Sequence, residues 1–291
     1  MKAVLQYRAS PGFRRQIEKK APDWLDVVVI EEDDKKNFAD EMVESNILLH
    51  VLEQVTAEVI TNAPNLKLIQ KIGVGINTID LDAATANGVA ICNMPGTNSR
   101  AVAEMTLMLM LSALRRLSYF DPQMRDGHGW TLDVKTFDRL GEIAGRTVGL
   151  VGYGEVARIL APILTAMGAN VLYTATAPKP DAKADWRNFS NLLSEADIVS
   201  LHLPLTAKTE NLFDGVAFAL MKPGSVLINT SRGGLVDEAA MTDALVSGHL
   251  RAAGLDVLSI EPASSGNPLF SMSNVVVTPH IAWLTPETLD R

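Results

Sequence analysis

The sequence holds a single cysteine, Cys92, among 291 residues, so it can form no internal disulfide and no multi-cysteine metal site. A reducing, cytoplasmic setting and no bound metal are the expectations. Basic residues are also in deficit: 26 Lys and Arg stand against 34 Asp and Glu, for a formal net charge of −8. That balance argues against a nucleic-acid footprint and against a polybasic membrane surface. Long apolar runs are missing as well. The longest, Met105 to Leu114, is about half of what a bilayer span requires. The first residues, Met1-Lys2-Ala3-Val4-Leu5, run into Arg8 and then Arg14-Arg15 without the apolar stretch of a signal peptide. No repeat of fixed period and no low-complexity tract interrupts the chain. Nucleic acid and membrane are therefore not expected partners.

What is present is ordinary for a globular chain, 47% hydrophobic and 21% charged, with a length that suggests about two domains. Short β-rich runs alternate with helical patterns, the signature of an α/β fold with largely parallel sheets. The first strands are predicted at Lys2–Gln6, Val27–Ile30, Ile47–Val51, Leu68–Ile72 and Val89–Ile91. Helices are predicted near Phe13–Lys19, Ala39–Glu44, Thr56–Thr61 and Leu81–Ala86, the last stopped by Asn87-Gly88. A second series reads Thr147–Val151, Asn170–Thr174, Asp197–Leu201, Ser225–Asn229, Ala252–Asp256 and Val275–Thr278. Six strands with intervening helices match a doubly wound nucleotide-binding domain. Ser99 to Asp126 joins the two series as one long helix, with a break expected near Asp121-Pro122; its methionines suit a buried helix that fills gaps. Pro162 should kink the helix predicted at Glu155–Met167.

An apolar strand, Thr147-Val-Gly-Leu-Val, runs into Gly152-x-Gly154-x-x-Ala157 and then into a helix. Gly152 permits the tight turn, Gly154 admits a pyrophosphate to the backbone, and Ala157 lets helix and strand pack closely. The helix start offers unpaired N–H groups to the phosphates. The acidic residue that would bind an adenosine ribose about 20 residues further on is missing. Thr174 ends the second strand, and no Asp or Glu appears before Asp181. With no carboxylate to repel a 2′-phosphate, NADP is favoured over NAD; Thr174, Thr176 and Lys179 are the candidate contacts, and a site permissive to both cofactors is the alternative.

Three further segments place a polar group just past a strand, where open α/β sheets bind ligands. They carry Arg232 in Asn229-Thr-Ser-Arg-Gly-Gly, Asp256 and Glu261 in Gly254-Leu-Asp-Val-Leu-Ser-Ile-Glu-Pro, and His280 in Thr278-Pro-His-Ile-Ala. A forked, permanently charged guanidinium can orient a 2-oxo acid and polarise its carbonyl. Histidine can supply the proton that the developing alkoxide needs, and a neighbouring carboxylate favours its protonated form. Singly, Arg232 also suits a helix-terminal salt bridge and Glu261 a surface turn. His202 is placed either beside the cofactor or in a structural role. His50 either lines a substrate pocket or is a buried, satisfied histidine, while His128 and His249 sit in polar, glycine-flanked contexts that suggest solvation.

In these motifs, together with Gly73-Val-Gly-Ile-Asn and Asn98-Ser-Arg-Ala-Val-Ala-Glu104, the sequence resembles the D-isomer-specific 2-hydroxyacid dehydrogenases, closest in look to glyoxylate/hydroxypyruvate reductases. The resemblance implies an α/β protein of two Rossmann-like domains: a flavodoxin-like substrate domain and an inserted doubly wound NAD(P)-binding domain. The first would comprise residues 1–98 and 280–291, the second 99–279 with the helix 99–126, with the active site in the cleft and hinges near Asn98 and Thr278–His280. The amides of Val74 and Gly75 would hold the substrate carboxylate with Arg232; His280 would be the acid/base and Glu261 its partner. Asp256 would anchor the nicotinamide carboxamide, and Tyr153, Glu155, Val156, Thr230, Ser231 and Val102 match cofactor-contact positions.

Specificity is assigned to His50, Val51, Leu52 and Glu53, with Trp283 as a further candidate. The implied reaction is NAD(P)H-dependent reduction of a small anionic 2-oxo acid (glyoxylate, hydroxypyruvate or pyruvate) to the D-2-hydroxy acid, in a homodimer. Thr174 departs from the family's usual NAD-selecting Asp, and Thr176 stands where the NADP-using subgroup carries an arginine. His280 also lies close to Arg291, whereas the family continues into a helix that returns to the first domain; truncation and a lack of that cover are both open. Glu261 in place of a glutamine speaks against a formate dehydrogenase. A phosphite-type dehydrogenase and a nucleotide-sensing corepressor remain as alternatives.

Overall fold

The computed structural model describes residues 1–291 and divides into two compact units, Met1–Asn98 with Pro286–Arg291, and Ser99–Thr285. In the first, strands β1 (Lys2–Gln6), β2 (Asp26–Ile30), β3 (Ile47–His50), β4 (Leu68–Lys71) and β5 (Ala90–Cys92) form an all-parallel sheet in the order β2-β1-β3-β4-β5. This is the flavodoxin-like order. Its helices are α1 (Pro11–Lys20), α2 (Lys35–Met42), α3 (Ala57–Thr61) and α4 (Leu81–Ala86). Each starts on a side-chain cap: Ser10, Asp34, Thr56 and Asp80 accept the amides of Phe13, Asn37, Val59 and Ala83. Val4, Leu48, Ile60 and Ile69, almost wholly buried, centre the core of this unit.

The second unit contains α5 (Ser99–Arg115) and α6 (Leu117–Arg125), then β6 (Thr147–Val151), α7 (Glu155–Ala166), β7 (Asn170–Thr174) and β8 (Asp185–Trp186). It continues with α8 (Phe189–Glu195), β9 (Ile198–Leu201), α9 (Gly215–Leu220), β10 (Ser225–Asn229), α10 (Glu238–Val246), β11 (Leu250–Leu255) and β12 (Val275–Val277). The sheet order, β12-β11-β10-β9-β6-β7-β8, is the doubly wound arrangement with its switch point between β6 and β9. Seven strands form it rather than the six expected. The addition is the two-residue β8, too short to show a period of two, which pairs with Leu172 and Tyr173.

Three further expectations need correction. The long helix breaks at Arg116, whose φ of 53° is left-handed, and Pro122 sits inside α6 instead. Pro122 is exposed, so the carbonyl it leaves without a donor can meet water. Helix α7 contains Pro162, likewise exposed, within its span. His249 is not simply solvated: its Nε2 lies 2.8 and 3.0 Å from the carbonyls of Phe218 and Met221 at the end of α9. Finally, residues 280–285 belong to the second unit, because Asp256 accepts the amides of Ile281 and Ala282. The short helix α11 (Pro286–Asp290) joins the first unit through Asp290, which accepts bonds from Gln16 and Lys20 of α1. No helix is long and apolar enough to cross a membrane.

Helix α5 lies directly on the sheet because β11 carries a glycine where the two meet. A Cβ on Gly254 would stand 2.9 Å from Ile228 Cδ1, 3.0 Å from Leu109 Cβ and 3.2 Å from the Leu109 carbonyl oxygen. Gly254→Val should therefore force the helix outward and cost about 1–3 kcal/mol of stability, as overpacking does. Urea denaturation reads this; an unchanged midpoint would refute the close approach.

Candidate active site

The glycine loop leaves the carboxyl end of β6. Gly152 has φ +97°, and a Cβ there would overlap the His202 carbonyl, so a side chain is excluded on two grounds. Its N–H donates to the Thr174 carbonyl at 3.0 Å, tying the loop to the end of β7. Gly154 is the N-cap of α7, and a Cβ on it would meet no atom within 4 Å. Its bareness therefore serves nothing inside the protein and leaves an open approach to the helix N-terminus, which fits a dinucleotide pyrophosphate. Ala157 is fully buried, as close packing of helix on strand requires. Glu155 is exposed and Val156 half-buried in the first turn. The Tyr153 side chain is buried, its ring 4.2 Å from that of Tyr173 and its hydroxyl accepting the Lys183 amide, so this residue presents backbone rather than phenol at the loop.

At the end of β7, Thr174 is half-buried, and Thr176 and Lys179 are exposed. Asp181 is engaged by Arg158 at 2.7 Å, while Arg158 lies 5.4 Å from the centre of the Tyr153 ring. The sequence reading missed this pair, which only the fold brings together. His202 follows β9; its Nε2 lies 3.0 Å from the Ser200 hydroxyl, and although the residue keeps some exposure, burial of the imidazole pushes its pKa down to about 4.

The polar residues after β10, β11 and β12 form one connected network. Asn229 donates to the Arg232 carbonyl and accepts the Ser231 amide, while the Ser231 hydroxyl donates to the Leu201 carbonyl. The buried Thr230 meets Thr106 at 2.8 Å, and Thr106 in turn donates to the carbonyl of Val102. Gly233 has no room for a Cβ, which would overlap the Leu258 carbonyl. This is what lets the Arg232 loop lie against the segment that carries Glu261. Burial holds the Arg232 guanidinium below its usual range, with Glu261 acting in the opposite sense.

Glu261 Oε1 accepts the Leu258 amide at 2.9 Å, and Oε2 lies 2.6 Å from His280 Nδ1. Burial works against ionisation of Glu261. The His280 hydrogen bond and charge, the Leu258 amide and Arg232 outweigh it and hold this carboxyl below the usual range. With Nδ1 committed, Nε2 is the imidazole nitrogen left for proton transfer. His280 itself is left-handed, φ 54°, and is kept there by its amide donating to the Asp256 carbonyl at 2.8 Å. Asp256 Oδ1 accepts the Thr278 hydroxyl and the Ile281 amide, and Oδ2 accepts the Ala282 amide. Burial nevertheless pushes the Asp256 pKa up, against these bonds. Asp256 thus anchors the His280 loop, a duty the sequence does not display. Trp283 is buried beyond it.

In the first unit, loop 73–75 follows β4, with Gly73 at φ +138°. The Gly73 carbonyl accepts the Met94 amide and the Val74 carbonyl accepts Asn93, whereas the amides of Val74 and Gly75 make no hydrogen bond within the protein. Two unengaged amides suit an anion. Leu52 is half-buried nearby in sequence, and Val51 is buried. His50 at the end of β3 is 3% exposed and lies 2.7 Å from the Thr78 hydroxyl; Lys71 donates to the Val51 carbonyl. Burial, aided by the charge of Lys71, pushes His50 from 6.5 down to about 3. His50 is therefore neutral in the fold, and the unfolded chain takes up the extra proton below about pH 6.5. Its contribution to stability is complete above that pH and is lost on acidification towards pH 3. Comparing urea midpoints at pH 7 and 4.5, His50→Gln should lessen the acid loss by on the order of 2–3 kcal/mol. An equal loss in both proteins would overturn the assignment.

Residues 107–282 match the family model described as D-isomer specific 2-hydroxyacid dehydrogenase, NAD binding domain. The chain is 43% identical to D-3-phosphoglycerate dehydrogenase of Mycobacterium leprae over 249 residues, 84% of this chain and 46% of that protein. It thus spans about half the length of the first curated relatives it matches. It is also 35% identical to hydroxypyruvate reductase of Thermotoga maritima over 241 residues, 82% of this chain and 78% of that one. Among solved structures, the TT0316 protein of Thermus thermophilus superposes with a TM-score of 0.89 at 34% identity, over 100% of this chain and 93% of that chain. The chain belongs to the D-isomer specific 2-hydroxyacid dehydrogenase family.

Proposed function

We propose that this protein reduces a small 2-oxo acid of the glyoxylate, hydroxypyruvate or pyruvate type to the D-2-hydroxy acid, with NADP preferred to NAD. The observation that carries the reading is the 2.6 Å contact of His280 with Glu261, held against the Arg232 loop at the carboxyl ends of β10 to β12. A bound nicotinamide dinucleotide, received at Gly152–Gly154 and α7, supplies the hydride. Arg232 polarises the substrate carbonyl and orients its carboxylate, and the open amides of Val74 and Gly75 suit an anion of that kind. His280 Nε2 delivers the proton to the carbonyl oxygen as it becomes an alkoxide, and Glu261 orients the ring and favours the imidazolium beforehand. Val102, Thr230 and Ser231 are assigned to the nicotinamide side and Asp256 to both the loop and the carboxamide. Thr174 is assigned to cofactor choice, since it supplies no charge against a 2′-phosphate.

The 43% identity to a phosphoglycerate dehydrogenase favours a second reading, a phosphorylated three-carbon substrate. We also read the protein as a cytoplasmic homodimer. Exposed apolar side chains gather on residues 117–137, among them Leu117 at 56%, Trp130 at 90% and Val134 at 71% exposure, a surface suited to a second copy.

A spectrophotometric panel of 2-oxo acids, including a phosphorylated one, with NADPH and NADH tests the reading. Oxidation of NADPH by a small unphosphorylated acid is expected; cofactor binding without turnover on any acid would instead indicate a nucleotide sensor. His280→Ala and Arg232→Ala should each lower kcat/KM by about a thousandfold or more. Near-wild-type rates in either would sink the assignment. Thr174→Asp should shift the NADPH/NADH preference toward NADH by about tenfold or more, the scale of one charge against a 2′-phosphate. An unmoved ratio would mean that another residue selects the cofactor.

A further inference from the structure

A cluster of arginines lies at the opposite end of the nucleotide-binding unit. The glycine loop, His202, Arg232 and His280 all follow the carboxyl ends of strands, whereas Arg146 and Arg251 stand at the amino ends of β6 and β11. An open cavity of about 620 Å³ occurs there, lined by Arg115, Gly141, Arg146 and Asp197 among others. That volume falls in the range of small-molecule sites. Gly141 holds the arginines together: a Cβ on it would stand 2.7 Å from Arg146 Nη2 and 3.1 Å from Arg251 Nη2. Its backbone N–H donates to the Leu114 carbonyl, which draws the end of α5 and Arg115 to the same place.

The arginines are not spent on internal pairs. Nε and Nη2 of Arg251 are buried and have no hydrogen-bond partner. Native proteins leave few such groups, because a buried donor without an acceptor forfeits its hydration and gains nothing in return. Arg146 uses Nε on the Glu142 carbonyl at 2.7 Å. Of the two carboxylates in the wall, Glu142 is exposed and Asp197 is already engaged: Oδ1 takes Lys222 Nζ at 3.1 Å and Oδ2 takes the Thr147 amide at 2.8 Å. Burial and then the charge of Arg146 hold Arg251 below the usual guanidinium range, so the two cations repel each other in the absence of a counter-charge. Arg115 and Arg146 line the cavity and Arg251 stands behind Gly141; against these three guanidiniums only Glu142 is a carboxylate not already held by Lys222, and the planar fork of each arginine matches phosphate oxygens.

We propose that this cavity binds a small phosphorylated anion between Arg146 and Arg251, with Arg115 in its wall. The chain is acidic overall, so a cluster of this sign marks a local recognition device. The site has no residue in common with the glycine loop or with the His280 network, and it stands whether or not the proposed reaction is the correct one.

The test uses inorganic phosphate as probe, on the full chain saturated with NADP so that the glycine loop is occupied, at ionic strength held constant with chloride. Saturable binding by calorimetry is expected, accompanied by a rise in Tm. Arg146→Gln combined with Arg251→Gln should weaken phosphate at least tenfold while leaving NADP affinity within twofold. Gly141→Ala, which fills the space between the guanidiniums without removing a charge, should weaken it as well. Arg232→Ala should leave phosphate affinity unchanged, separating this cavity from the substrate position. Phosphate affinity equal to wild type in the double variant and in Gly141→Ala would overturn the proposal. So would sedimentation showing that the double variant loses self-association with phosphate binding intact, since the arginines would then serve a second copy of the chain.

Discussion

The buried carboxylate of Asp256 is the point on which the loop that carries His280 depends. It receives a hydroxyl and two amides from residues 278–282, and its own carbonyl receives the amide of His280. Those bonds offset part of the cost of taking a charge out of water and hold His280 in a left-handed conformation that costs a non-glycine residue about 1–2 kcal/mol. The reward is direction. With its backbone fixed, the His280 imidazole meets Glu261 through Nδ1 and keeps Nε2 for other partners. A histidine on a loop free to relax would sample orientations in which neither nitrogen was useful.

Around that anchor, glycines set how closely the loops approach. Gly233 admits the Leu258 carbonyl, Gly152 admits that of His202, and Gly254 admits α5. At all three positions backbone or helix occupies the volume of the missing side chain. Gly154 differs from these three, since nothing in the protein fills its space and the approach to the N-terminus of α7 stays open. Gly141 is of the first kind, with guanidiniums rather than backbone as the neighbours. The nucleotide-binding unit thus carries ligand-facing chemistry at both ends of its parallel strands. Its acidic net charge leaves both ends reliant on local donors: helix N-terminus and Arg232 at one, Arg146 and Arg251 at the other.

Much of this was legible in the sequence. Period and turn residues place the strands from β1 to β7 and from β9 to β12 to within a residue or two, because buried parallel strands are short apolar runs between glycine-marked stops. Strand β8 was not legible, since two residues carry no period. The break at Arg116 was hidden because Pro122 is the louder signal, yet an exposed proline can be solvated while Arg116 adopts a left-handed turn that no residue type announces. The residues Arg232, Glu261 and His280 were visible as polar groups beyond strand ends. The duty of Asp256 to the His280 loop, the contact of Thr106 with Thr230 and the pairing of Arg158 with Asp181 were not.

The sequence by itself determined the fold class, the glycine loop and the three residue types of the proposed catalytic set, since each follows from local pattern: apolar runs, a Gly-x-Gly turn, and a polar residue just past a strand. Only the tertiary structure decided which atom of His280 is committed, which amides of loop 73–75 stay open, and that Arg146 and Arg251 meet around Gly141. These depend on distances between residues far apart along the chain. Such distances are set by helix-on-sheet packing and loop approach, for which a linear sequence has no coordinate.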